Sequence, residues 1–150
     1  VQTLYAKAKS KQDITARDVN ALFYFYRNGV LSSDDIIRHF AYVLCEASRA
    51  VVFNLKPGQE KLKECIANIM ACCQDNNGNI KEDCLASVYY VLCAATSAGV
   101  FKTDKELDTL RGYIAKFMAG CHDNNGNIKK DWLECVNYVL YAAIRTVLFL

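Results

Sequence analysis

The chain has 150 residues, 53% of them apolar, with a formal charge of +2 and a single proline. That length suits one domain with a real core, and that composition excludes a disordered chain. Basic and acidic side chains are interspersed, which argues against nucleic acid as a partner.

Residues 1–12 read as a short polar, Lys-rich arm, and Val1 in place of Met reads as a processed or excised start. Val19, Leu22, Phe23 and Tyr26 then fall at helical spacing. A turn with Gly29 follows, and Ser32 or Ser33 with Asp34 and Asp35 starts a second helix. That helix carries Tyr42-Val-Leu-Cys-Glu-Ala and closes on Val52-Phe53.

The pattern then recurs. Leu62, Cys65, Ile66, Ile69, Met70 and Cys73 predict one helix, and Leu110, Tyr113, Ile114, Phe117, Met118 and Cys121 predict its counterpart 48 residues on. Asp75-Asn-Asn-Gly-Asn-Ile-Lys-Glu-Asp83 recurs as Asp123-Asn-Asn-Gly-Asn-Ile-Lys-Lys-Asp131. Gly78 and Gly126 would supply the left-handed turn residue, and Asn79 or Asn127 the next helix cap. Tyr90-Val-Leu-Cys-Ala-Ala and Tyr138-Val-Leu-Tyr-Ala-Ala follow, closing on Val100-Phe101 and Leu148-Phe149. The expected fold is therefore all-α. It has six helices in three antiparallel hairpin repeats of about 48 residues, at 6–53, 54–101 and 102–149, stapled by disulfides. Residues 84–101 contain no charge, yet Ser87, Tyr89, Tyr90, Thr96, Ser97 and Gly99 dilute the run, so it reads as a buried central helix rather than a membrane span.

Eight cysteines suggest bridges and an oxidising, extracellular compartment. Across a hairpin turning near Gly78, Cys65 faces Cys93 and Cys73 faces Cys84 at nearly one register. Cys121 with Cys135 is about one helical turn off the equivalent register, and Cys45 with Cys72 would tie the first repeat to the second. These are the first choices among about 105 pairings. Trp132 stands where Cys84 stands and Tyr141 where Cys93 stands, so aromatic packing would replace the bridges there.

The Asn-Asn-Gly loops are similar to a calcium-binding helix–loop–helix. Asp75, Asn77, Asp123 and Asn125 are weak ligand candidates, because Cys73, Cys84, Cys121 and Trp132 occupy the end positions that need acids. The loops read better as capped turns. Cys121-His122 could make a nucleophilic pair only with an activated thiolate, and Gln74 replaces the histidine in the sister loop. No Cys-x2-Cys pair with a matching second pair supports zinc. The aromatic set Phe23-Tyr-Phe-Tyr26, Tyr89, Tyr90, Tyr138 and Tyr141 falls mostly at core spacing. No cofactor is expected.

Cys73-x10-Cys84-x8-Cys93 is similar to the last three cysteines of insect odorant-binding proteins, a resemblance that implies a secreted helical carrier of apolar ligands. It is confined to residues 73–93. The closely spaced earlier pair of that family is missing, since Cys45 and Cys65 lie far apart, and the threefold repeat is foreign to it.

No nucleophile–base–orienter set emerges, so the expected function is not enzymatic. The leading expectation is a secreted, extracellular building block that associates with itself or with other secreted proteins. Val147, Leu148, Phe149 and Leu150 are its interface candidates, because an array with an uncapped apolar end tends to associate. The alternatives are an extracellular carrier of a small apolar molecule and a secreted effector or toxin acting on a receptor.

Overall fold

The computed structural model describes residues 1–27, 31, 33–50, 52–53 and 56–145. Among these the protein is all-α, with seven α-helices and no strand. They are α1 (Gln2–Lys9), α2 (Ala16–Arg27), α3 (Asp34–Arg49), α4 (Lys56–Cys72), α5 (Leu85–Ala98), α6 (Asp104–Gly120) and α7 (Leu133–Ala143). No helix among the described residues is long and apolar enough to cross a membrane.

The expected polar arm is a correction: it is α1. Leu4 and Ala8, four residues apart, put a narrow apolar stripe on one face and are buried. Tyr5 beside them stacks on His39 at 3.9 Å and meets Tyr42 edge-on at 5.5 Å, so α1 lies against α3. Lys7 reaches Asp18 at 2.7 Å and ties α1 to α2. Of the lysines that give the segment its polar look, Lys9 and Lys11 are exposed and Lys7 is half-buried against Asp18.

Local signals set the helix ends. The Ser33 hydroxyl accepts the Ile36 N–H at 3.3 Å and caps α3, with Asp34 and Asp35 in its first turn. Pro57, in the first turn of α4, sits where a missing N–H costs nothing. At α6, Thr103 and Glu106 form a reciprocal capping box. The αL residue Gly99, φ 61°, ends α5.

The loops after α4 and α6 share one geometry. The Asp75 carboxylate accepts the N–H of Asn77 at 2.9 Å and of Asn79 at 3.0 Å; Asp123 does the same for Asn125 and Asn127 at the same distances. Gly78 and Gly126 have φ of 80° and 81°, which a side chain would strain. Short 3-10 turns, Glu82–Cys84 and Lys130–Trp132, lead into α5 and α7, and no side chain caps them. The expected caps Asn79 and Asn127 therefore do not act as caps. The aspartate four residues earlier organises the turn instead.

α3, α5 and α7 form an inner row. The α3–α5 contact is the most extensive in the fold. Phe40, Leu44 and Ala47 of α3 and Val88, Val91, Leu92, Ala94 and Ala95 of α5 are almost wholly buried, each large one contributing about 1.5–3 kcal/mol. Helix α5 packs against α3, α4, α6 and α7. That accounts for its lack of charge. A tyrosine chain crosses the row: Tyr5–Tyr42 at 5.5 Å, Tyr42–Tyr90 at 5.0 Å, Tyr90–Tyr89 at 5.6 Å and Tyr89–Tyr138 at 6.1 Å.

Candidate interaction face

Helix α7 has two apolar sides. Val136 and Val139 are buried toward α5. On the adjoining side Leu133 is 48% exposed, Leu140 42%, Tyr141 61% and Ile144 42%. With Asn137 these positions are spaced by three and four residues and make one continuous stripe. Arg145 lies over the Tyr141 ring at 5.6 Å, and Glu134 is exposed near the other end of the helix. An open groove of about 370 Å³ runs alongside, lined by Thr96, Ser97, Tyr138, Tyr141, Ala142 and Arg145.

The stripe is unusual because its counterparts in the row are covered. Stepping back 48 residues from Leu133, Leu140, Tyr141 and Ile144 gives Leu85, Leu92, Cys93 and Thr96 of α5. The first three are buried and Thr96 is half-buried. Leu92, Cys93 and Thr96 face Ile114, Tyr138, Val139 and Ala142, and Leu85 packs on Gly120. A second step gives Ile37, Leu44, Cys45 and Ser48 of α3, all buried. The same face is thus closed on α3 and α5 and open on α7.

Ion pairs mark the two closed joints. Lys81 meets Asp34 at 3.5 Å, and 48 residues on Lys129 meets Glu82 at 2.7 Å. One further step reaches Lys130 where Asp34 and Glu82 stand, and one step back reaches Ser33 where Lys81 and Lys129 stand. Neither end of the row carries its half of this pair.

All eight cysteines are free thiols. Cys73 is hydrogen-bonded to Cys84, the neighbour expected for it, and Cys84 also donates to Asp34 at 3.6 Å. Burial raises both thiols above their usual range. Cys93, however, meets Cys45 rather than Cys65, and its hydrogen bond together with burial raises the Cys45 thiol. The expected facing of Cys65 with Cys93 and of Cys45 with Cys72 is therefore corrected. Local register relates the two helices of one hairpin, whereas the most extensive packing joins α3 to α5, one hairpin apart. Cys65 is buried, and burial, helped by the nearby Glu64 carboxylate, pushes its thiol up to about 12. Cys121 is buried, with Cys135 near enough to act on its charge, and is pushed up to about 11 chiefly by burial. Cys72 is exposed.

Trp132, at the place that Cys84 holds one repeat earlier, packs edge-on to Phe117 at 6.3 Å. Tyr141 does not pack in place of Cys93, because it points outward. In the loops, Asp75 and Asp123 spend a carboxylate oxygen on main-chain donors, and Asn77 and Asn125 supply those donors. Among the described residues no group of three His, Cys, Asp or Glu is arranged to hold a metal. The His122 ring nitrogen Nδ1 is hydrogen-bonded to the Met118 carbonyl, turned to its own helix. Val147, Leu148, Phe149 and Leu150 lie outside the described residues.

The α7 stripe was missed in the sequence although its signal was present. Leu133, Asn137, Leu140 and Ile144 follow helical spacing along the side next to Val136 and Val139. Apolar spacing alone does not say whether a neighbour covers it.

No family model, curated protein or solved structure matches this chain.

Proposed function

We propose that the protein is a non-enzymatic helical building block that works by protein–protein association, with the open face of α7 as its contact surface. The carrying observation is that Leu133, Leu140, Tyr141 and Ile144 form one exposed stripe whose equivalents on α3 and α5 are covered. Contiguous apolar surface of this kind marks interaction sites, and tyrosine with a neighbouring arginine is a frequent interface anchor.

The proposal includes three tandem hairpins at 6–53, 54–101 and 102–149. The matching loops, the tyrosines 42, 90 and 138, and the two ion pairs 48 residues apart support it. It also includes an extracellular setting, supported by the thiol neighbours Cys73 with Cys84 and Cys45 with Cys93. The test is Leu140→Lys with Tyr141→Glu. Association measured by light scattering should fall while far-UV circular dichroism stays the same, and unchanged association would refute the assignment of the face.

A carrier is the second reading. The open groove beside Tyr138 and Arg145, about 370 Å³, is within the size range of small-molecule sites. A co-purified ligand in a non-denaturing mass spectrum would favour it over the first.

A further inference from the structure

Two kinds of joint could cover the α7 stripe with a second copy of the chain. A head-to-tail joint would set the first hairpin of one copy on α7 of another and continue the row. Two features oppose it. The outer side of α3 is already taken by α1, with Tyr5 on His39 and Tyr42. Those two residues stand where Ser87 and Tyr90 stand in α5, and Tyr90 faces back onto α3 through Tyr42. Helix α1 thus fills the place of a preceding hairpin. The ion pair of the internal joints would also be lost on both sides, since Ser33 replaces the lysine and Lys130 the acid.

We infer that the occupant is α7 of a second copy, packed antiparallel about a two-fold axis beside Leu140, so that assembly closes at a dimer. This rests on the association reading above and specifies the partner and its geometry. The charges fit that orientation. Glu134 and Arg145 flank the stripe on the same side, near opposite ends of the helix. In an antiparallel pair same-side positions face one another. Glu134 then lies beside the partner's Arg145, and Arg145 beside the partner's Glu134. A parallel pair would put each of these residues and its copy on opposite edges of the contact, so neither charge would meet its opposite. Leu140 meets its own copy at the centre, with Leu133, Tyr141 and Ile144 on either side. An isologous contact of this kind covers the exposed α7 stripe on both copies at once and closes the assembly.

The four exposed side chains, each about half of a large residue's surface, offer roughly 400 Å² per copy. Stable complexes bury about 800 Å² per partner, so the dimer belongs to the weak, reversible class.

The test is sedimentation equilibrium of the full chain over a wide concentration range, with four variants. The parent should follow a monomer–dimer equilibrium. Leu140→Lys, which sets two ammonium groups at the axis, should weaken it by about tenfold or more. Glu134→Arg and Arg145→Glu should each weaken it several-fold, and the double swap E134R/R145E should return it close to the parent. Failure of the double swap to restore association would overturn the antiparallel register. An assembly larger than two that L140K dissolves would overturn the two-fold inference and leave the association reading standing. A monomer at every concentration, with hydrogen exchange showing the stripe protected by residues 146–150 of its own chain, would overturn both. So would an assembly that L140K leaves intact. Circular dichroism of each variant separates lost association from lost folding.

Discussion

Glu106 ties a helix start to a helix–helix joint, and removing it should separate the two contributions. One carboxylate oxygen accepts the N–H of Lys102 at 3.1 Å and of Thr103 at 3.0 Å, which caps α6; the other accepts from Lys63 of α4 at 2.6 Å. Glu106→Ala removes both. The cap accounts for about 1 kcal/mol. The ion pair, with both side chains about a quarter exposed, adds about 0.2–1 kcal/mol after solvent screening. A total of about 1–2 kcal/mol should lower Tm by roughly 3–6 °C in a domain of this size. Glu106→Gln keeps an acceptor for the two amides and loses only the charge, so it should cost less, about 0.5–1 kcal/mol. The pH dependence follows from the lowered carboxyl. The hydrogen bond from Lys63, then the amides of Thr103 and Lys102, hold Glu106 down to about 2 from 4.5. A depressed acid stabilises the fold above its unfolded value and loses that contribution as pH falls. The parent's advantage over E106Q should therefore be full near neutrality and shrink as pH falls from 4.5 toward 2. Urea unfolding followed by circular dichroism at several pH values measures it. An advantage that stays constant across that window, or equal losses for E106Q and E106A, would refute the division between cap and pair.

Two glycines of α6 should respond differently to alanine. Gly112 has open space around it, so G112A should stabilise by about 0.5–1 kcal/mol. A Cβ at Gly120 would lie 2.8 Å from Leu85 Cδ2, inside a packed core, so G120A should lose that gain or reverse it, as thermal melts of both would show. Native-state alkylation should label exposed Cys72 first and buried Cys65, pushed up to about 12, among the last; mild oxidation should yield Cys73–Cys84 and Cys45–Cys93 peptides. Early labelling of Cys65, or a Cys65–Cys93 bridge, would contradict the packing of α5 against α3. Calcium should leave Tm unchanged, because the Asp75 and Asp123 carboxylates already serve their own loops; a saturable rise would show a site there.

The long helices were legible because their apolar residues keep strict helical spacing and their turns carry Asn-Asn-Gly. Helix α1 was not, since only Leu4, Tyr5 and Ala8 mark it among lysines and its helicity depends on packing against α3. The thiol pairs were half legible. Cys73 and Cys84 flank one turn, and local register finds them. Cys45 and Cys93 meet across a joint between hairpins, which no local register specifies. The open face of α7 was hidden for a related reason. Tyr141 sits at the place of Cys93, but only the assembled row shows that nothing described lies beyond it.

The placement of α1 gives synthesis on the ribosome a direction. Its turns emerge before α3, so Tyr5 is ready for His39 and Tyr42 as soon as they leave the exit tunnel. That contact covers part of α3 while α5, its largest partner, is still to be made. The eight residues of α1 can thus cover α3 before its most extensive contact, with α5, is made.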